Sequence, residues 1–361
     1  MDMNILQNEM YRSDIAQVMA LDIPWETLDN KTFLITGATG MIGSVIIDIL
    51  MGRNQEHGQH IHICAVSRNE EKARGRFSAY WDKPDFAWFS HDITRPLPEC
   101  GNFDYILHAA SNTHPRAYST DPIGTITANV QGTYHLLEYA SRHRCGRFFF
   151  FSSVEIYGEN RNDADRFDEK YLGYIDCNTT RAGYPESKRL GEALCNAFSA
   201  QKGQDFVIGR FSRVYGPTMS EEDSKAVAQF IRKAVSGEDI VLKSAGNQLY
   251  SYTYAADAAS AALYLLLRGE QGSAVNIVDS QSDITLRELA SLLAGEAGTR
   301  VVYEVPDETE RAGYSTATKA VLDGTRLAQL GWKAHTPIAQ GLGRTVQILR
   351  QGRGKSEGHF Q

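Results

Sequence analysis

Thr32–Met51, TFLITGATGMIGSVIIDILM, decides the fold. Thr32–Thr36 is a short buried-strand pattern. It runs directly into Gly37-Ala38-Thr39-Gly40-Met41-Ile42-Gly43, and then into an apolar helical run, SVIIDILM. Strand, glycine turn and helix, in that order, form the setting that a dinucleotide fingerprint requires. Gly37, Gly40 and Gly43, spaced G-x-x-G-x-x-G, permit the tight turn and let backbone N–H groups reach a pyrophosphate at the helix N-terminus. Thr39, Met41 and Ile42 belong to the same candidate cofactor loop.

Working outward, the next strand, His62–Val66, ends in Ser67-Arg68-Asn69 rather than in an acid. An acid at that point hydrogen-bonds the ribose 2′-OH of NAD, whereas an arginine meets the 2′-phosphate of NADP. The cofactor expected is therefore NAD or NADP, with Arg68 tilting toward NADP; the plain alternative for Arg68 is a surface residue at a strand end. Phe86–Ser90 leads to Asp92-Ile93, where Asp92 either contacts adenine or caps a turn. Tyr105–Ala110 runs through His108 to Ala109, Ala110 and Ser111, small residues against which a cofactor can lie. Asn129, on a long helical pattern, is expected to brace the sheet. Arg147–Ser152 delivers Ser153 and Glu155; Phe206–Arg210 is a sixth strand and Ala274–Ile277 a seventh.

These βα units predict an α/β, Rossmann-type doubly wound parallel sheet with a smaller C-terminal α/β substrate-binding region. The expected division is an N-terminal extension at 1–31, a dinucleotide-binding domain at 32–217, a mainly substrate-binding region at 218–345 and a disordered tail at 346–361. In the extension, Ile15, Val18, Met19 and Leu21 outline an amphipathic helix that Ile23-Pro24-Trp25 packs onto the next domain.

A second stretch, Thr179–Leu194 (TTRAGYPESKRLGEAL), places Tyr184 and Lys188 four residues apart, on one face of a helix. An ammonium beside a phenol favours the phenolate, which suits proton exchange with a sugar hydroxyl while hydride moves to a nicotinamide. Alone, Y-x-x-x-K also describes any solvated helix surface.

The 361 residues carry a formal net charge of −7, so attraction to nucleic acid or an acidic membrane is not expected. No apolar run approaches the roughly 18 residues needed to span a bilayer, and MDMNILQNEMYRSD lacks the pattern of a secretory signal. The five cysteines are scattered without C-x-x-C, so neither a disulfide framework nor a metal site is expected and a reducing cytoplasm fits.

GATGMIG, HAA, SSVEIYG, YPESK, RFSRVYGP and YSYTYAAD stand in that order across roughly residues 30–345. With them the chain resembles the extended short-chain dehydrogenase/reductases that modify nucleotide sugars: UDP-glucose 4-epimerases, dTDP-glucose 4,6-dehydratases and UDP-glucuronate decarboxylases. The resemblance implies that Tyr184 is the base and that Lys188 holds the nicotinamide ribose and lowers the Tyr184 pKa. Ser153 is then the hydrogen-bond partner of the sugar hydroxyl, and Asp92 sits at the adenine. It implies oxidation of a nucleotide-linked sugar followed by epimerisation or decarboxylation, and a homodimer formed through two helices of the sheet domain. Glu155 matches a glutamate of dehydratases and decarboxylases, but its neighbour Val154 stands where dehydratases carry a proton-donating aspartate. Tyr250 stands where the family has arginine, and Arg213 where it has asparagine; Arg213 with Lys225 is expected to supply the missing charge to the substrate. Net NADPH-dependent reduction of a nucleotide-linked keto sugar or ketose, for instance to a CDP-polyol, and a non-catalytic dinucleotide-binding scaffold are the alternatives.

Overall fold

The apolar run Thr32–Thr36 becomes β1, paired in parallel with β2 (His62–Ser67) on one side and β4 (Tyr105–His108) on the other. With β3 (Phe86–Ser90), β5 (Arg147–Ser153), β6 (Phe206–Phe211) and β10 (Ser273–Ile277), it forms a seven-stranded sheet of order β10-β6-β5-β4-β1-β2-β3. All its pairings are parallel. The computed structural model describes residues 5–113, 115–305 and 317–357, so residues 1–4 of the expected extension and 358–361 of the expected tail lie outside the described residues.

A parallel sheet must be covered on both faces, and β5 shows how the sequence meets that need. Phe148 and Phe150 enter the core on one face, with Leu136, Leu137 and Cys195 from α5 (Pro122–Arg142) and α6 (Gly183–Lys202). Phe149 and Phe151 enter the core on the other face, with Val45, Ile46 and Ile49 from α2 (Met41–His57) and Leu263 from α8 (Ala255–Arg268). The short helices α3 (Glu70–Arg76) and α4 (Pro115–Thr120) complete this half.

The second half is built on β9 (Leu249–Tyr254), which pairs with β7 (Arg213–Tyr215), β11 (Asp283–Thr285) and β13 (Lys319–Ala320). β8 (Ile240–Leu242) and β12 (Val301–Tyr303) form a separate parallel pair. Helices α7 (Ala226–Val235) and α9 (Leu286–Ala297) pack around these strands, whereas α10 (Thr325–Gln329) sits against β10 of the large sheet, where Arg326 Nη1 donates to Ala274 O at 2.9 Å. The boundary expected after Pro217 falls one strand late. β7 has already left the large sheet, because Ser212 turns the chain so that Arg213–Tyr215 runs beside Tyr252–Tyr254.

The C-terminal expectation is also corrected. Instead of disorder from 346, α11 (Ile338–Glu357) continues with Val346 and Ile348 buried. Its glycines and charges misled the reading from composition. The arginines are spent on carbonyl oxygens: Arg344 donates to Met10 O at 2.8 Å, and Arg350 to Ala234 O, near the C-terminal end of α7, at 2.7 Å. No helix among the described residues is long and apolar enough to cross a membrane.

The N-terminal extension is an integral buttress. Its helix α1 (Glu9–Met19) buries Tyr11, Ile15, Val18 and Met19, and Ile23 and Trp25 are buried after it, as their pattern suggested. Tyr11 Oη donates to Asp48 Oδ2 at 2.5 Å, and Arg76 from α3 pairs with the same fully buried carboxylate. Removing one partner of a buried pair strands the other charge. Asp48→Ala is therefore expected to cost about 3–5 kcal/mol of stability, read from urea denaturation of the full chain; a loss below about 1 kcal/mol would mean that Arg76 finds water or another partner.

Candidate active site

The strand order reverses between β1 and β4, and the crevice opens beyond their C-terminal ends. It is a cavity of about 860 Å³. Its lining includes every candidate drawn from the sequence: the loop residues Gly37, Thr39, Gly40, Met41, Ile42 and Gly43; then Arg68, Asp92, Ile93, Ala109, Ala110 and Ser111; then Ser153, Glu155, Tyr184, Lys188, Arg213, Lys225 and Tyr250. Lys243, Ser244 and Gln248 line it as well, without any sequence pattern that marked them.

The glycine loop fits a dinucleotide for a steric reason. Gly37 has φ 67°, and a Cβ there would stand 2.6 Å from Ala110 N and 2.7 Å from Ala109 C. A Cβ on Gly43 would stand 2.7 Å from Gly37 O. Glycine alone lets the loop, the start of α2 and the end of β4 close together, so that the N-terminal end of α2 borders the crevice. These residues would hold the pyrophosphate of a nicotinamide dinucleotide. At the far end, Asp92 accepts from Thr94 N at 3.0 Å and Thr94 Oγ1 at 2.9 Å, which holds its carboxyl below the usual range. It thus caps a turn while also lining the cavity. Asn129 is the expected brace: Ser111 Oγ donates to its Oδ1 at 2.7 Å, and its Nδ2 donates to Ser187 Oγ at 2.8 Å, tying β4's exit to α6.

Tyr184 and Lys188 lie one turn apart on α6, both buried, on the same cavity as Ser153 at the end of β5. Burial pushes the Tyr184 phenol up to about 12, opposed by a hydrogen bond with Ser153. The expected lowering by Lys188 does not dominate here. Burial takes Lys188 itself down to about 7, and its Nζ donates to Phe151 O at 2.8 Å. Tyr118, which no sequence pattern marked, stacks on Tyr184 with ring centroids 4.7 Å apart.

Glu155 is not a free carboxylate. Arg181 Nη2 donates to its Oε2 at 2.6 Å, and Arg213 Nη2 lies 3.7 Å from Oε1. Burial opposes ionisation, but the two guanidiniums prevail and hold the carboxyl below its ordinary value. Arg213 reaches this point from β7, and its Cζ lies 3.4 Å from the centroid of the Tyr250 ring. Tyr250 uses its hydroxyl elsewhere, donating to Ala317 O at 2.7 Å, so it offers a ring face and no hydroxyl. Lys225 is paired with Asp223 at 3.1 Å. Two guanidiniums against one carboxylate leave a surplus positive charge, and Arg181 Nε, Arg181 Nη1 and Arg213 Nη1 are buried donors without a partner among the described residues. Arg181 stood in the quoted stretch TTRAGYPESKR, but only its fold partner Glu155 reveals its place.

The model of the family described as "NAD dependent epimerase/dehydratase family" matches residues 33–278. UDP-glucuronic acid decarboxylase 1 of Xenopus tropicalis is 29% identical over 327 residues, covering 90% of this chain and 73% of that protein. UDP-glucuronic acid decarboxylase 6 of Arabidopsis thaliana is 29% identical over 318 residues, 87% of each. In fold, the chain is similar to a dTDP-glucose 4,6-dehydratase of Streptomyces venezuelae solved with NAD (TM-score 0.76, 23% identity, 90% of this chain and 98% of that one). It is also similar to a UDP-glucuronic acid 4-epimerase of Bacillus cereus solved with UDP-glucuronic acid and NAD (TM-score 0.75, 19% identity, 89% and 99%). With a glycine loop packed against the end of β4 and a family match over residues 33–278, the chain belongs to the NAD dependent epimerase/dehydratase family.

Proposed function

We propose that the chain oxidises a hydroxyl of a nucleotide-activated sugar that carries a carboxylate, and then decarboxylates the keto sugar. One observation carries the acidic substrate: the surplus buried guanidinium of the Arg181–Glu155–Arg213 cluster, with unspent N–H donors, on the cavity that holds Tyr184. An uncompensated buried charge is costly, and a substrate carboxylate offsets it. A nicotinamide supplies the hydride acceptor when bound.

Each residue then has a role that follows from its place. Burial alone keeps Tyr184 a phenol, but a bound cationic nicotinamide would favour the phenolate together with Ser153. That phenolate takes the hydroxyl proton as hydride leaves the same carbon, and Ser153 hydrogen-bonds that oxygen. Lys188 holds the nicotinamide ribose. A carboxylate one carbon from the new ketone loses CO₂ without a base, because the C–C bonding pair moves into the carbonyl. The developing enolate oxygen faces Tyr184 and Ser153, which hydrogen-bond it. A proton from solvent then takes the place of the lost carboxylate on carbon, and Tyr184 gives its proton back to the oxygen as hydride returns to the ketone carbon. This sequence asks nothing of Glu155 as a base, consistent with its depressed pKa. Val154 offers no proton to a departing hydroxyl, which argues against 4,6-dehydration. The named relatives among the decarboxylases support the same reading.

Incubation with UDP-glucuronate and analysis by mass is the direct test: loss of CO₂ without net cofactor consumption is the expected result. A product that keeps its mass makes the chain an epimerase, and one reduced at the expense of added cofactor makes it a reductase. Tyr184→Phe should lower kcat about 10²–10⁴-fold while dinucleotide binding is retained; near-normal turnover would take Tyr184 out of the mechanism. Arg213→Asn should raise KM for the acidic sugar roughly tenfold or more and leave cofactor affinity unchanged; an unaltered KM would separate Arg213 from the substrate.

The reading includes a homodimer through α5 and α6, whose outward sides leave Ile123, Ile126, Tyr134 and Leu190 exposed. Light scattering of the full chain at micromolar concentration should give twice the chain mass, and a monomer there would remove this element.

A further inference from the structure

We propose that the adenosine end of the crevice is built to take a 2′-phosphate, so that the chain binds NADP(H) in preference to NAD(H). The proposal rests on the dinucleotide-binding crevice and not on the sugar chemistry. Two cations, Arg68 just beyond β2 and Lys72 on the first turn of α3, line that end of the cavity. Neither the guanidinium nor the ammonium has a hydrogen-bond or ion-pair partner among the described residues, although both stand close to acids in sequence. Glu70 is taken by Arg74, at 3.1 Å, and Glu71 is exposed on α3 without lining the cavity.

The backbone carrying these cations is anchored. Trp88 Nε1 donates to Ser67 Oγ at 2.9 Å, and Ser90 Oγ donates to Arg68 O at 3.2 Å, so the end of β2 is pinned from β3. Asn69 caps α3 by accepting from Lys72 N at 2.8 Å, which sets where that helix begins and hence where Lys72 stands. An NAD site places an acid where β2 ends, to accept from the ribose 2′-OH. Here the strand ends in Val66 and Ser67, and the acid is absent. The carboxylate that does line this end, Asp92, is engaged by Thr94, and the charge of Arg68 is among the influences that lower its pKa. Arg68 and Lys72, both exposed and with no protein partner for their charged groups among the described residues, thus flank a ribose position where β2 supplies no acid. A phosphate monoester supplies the charge and the acceptor oxygens that both side chains lack.

The test is equilibrium binding of NADP⁺ and NAD⁺ to the cofactor-free full chain, followed by quenching of tryptophan fluorescence, for wild type and for the Arg68→Ala, Lys72→Ala double variant. The wild type is expected to bind NADP⁺ about tenfold or more tightly than NAD⁺. The double variant should lose that preference while its NAD⁺ affinity stays within about threefold of the wild type. Equal or tighter binding of NAD⁺ by the wild type overturns the proposal. So does a variant that weakens both dinucleotides alike, because the two cations would then serve the shared diphosphate. Such results leave the reading of the sugar chemistry standing, whereas binding of neither dinucleotide removes both.

Discussion

Helix α6 lies so close to β5 that only glycine fits at the contact: a Cβ on Gly191 would stand 2.3 Å from Phe150 Cζ. The rest of the site depends on this approach. One residue further along, Glu192 accepts from Ser152 Oγ at 2.5 Å and from Arg210 Nη2 at 2.7 Å, so a buried ion pair ties α6 to both β5 and β6. One turn earlier, Lys188 donates to Phe151 O. These three contacts span successive turns of one helix and successive residues of one strand. They set the helix's rotation and height, and so bring Tyr184 to the same cavity as Ser153. A buried ion pair is weak evidence for stability, but it is specific about geometry, since any slip strands a charge.

Two kinds of electrostatics share the crevice. The glycine loop would meet a phosphate through backbone N–H groups, which carry only partial charges and are set by main-chain geometry. The centre uses whole charges, with the Arg181 and Arg213 guanidiniums around Glu155 and each packed on a tyrosine ring, Tyr118 and Tyr250 respectively. A planar guanidinium tolerates such a half-dry setting better than an ammonium does. The downward move of Lys188 to about 7 shows what the same burial does to an ammonium held mainly by a carbonyl.

Much of this was legible in the chain because the informative features are local. A glycine loop is read from consecutive residues, and its strand and helix flank it directly. The seven strands of the large sheet were recognised from short apolar runs, most to within a residue or two at their ends. The tyrosine and lysine of YPESK show their shared face through helical period alone. What escaped was non-local. Tyr118 meets Tyr184 across the crevice from a separate helix, and nothing near it in the chain announces the meeting. The tail was misread because glycine and arginine signal disorder by composition, while the carbonyl oxygens awaiting those arginines belong to α1 and α7.

The sequence by itself determined the doubly wound sheet, the place of the glycine loop and the shared helix face of Tyr184 and Lys188, because each rests on backbone conformation or periodicity within a few residues. Tertiary structure decided the charge state and duties of those residues. Glu155 becomes a counter-ion because Arg181 reaches it from just before the Tyr184 helix and β7, leaving the main sheet, brings Arg213 alongside. Lys188 becomes easily neutralised because α6 is driven onto the sheet. Desolvation and ion pairing depend on what surrounds a group in space, and residues 155, 181 and 213 become neighbours only when the chain has folded.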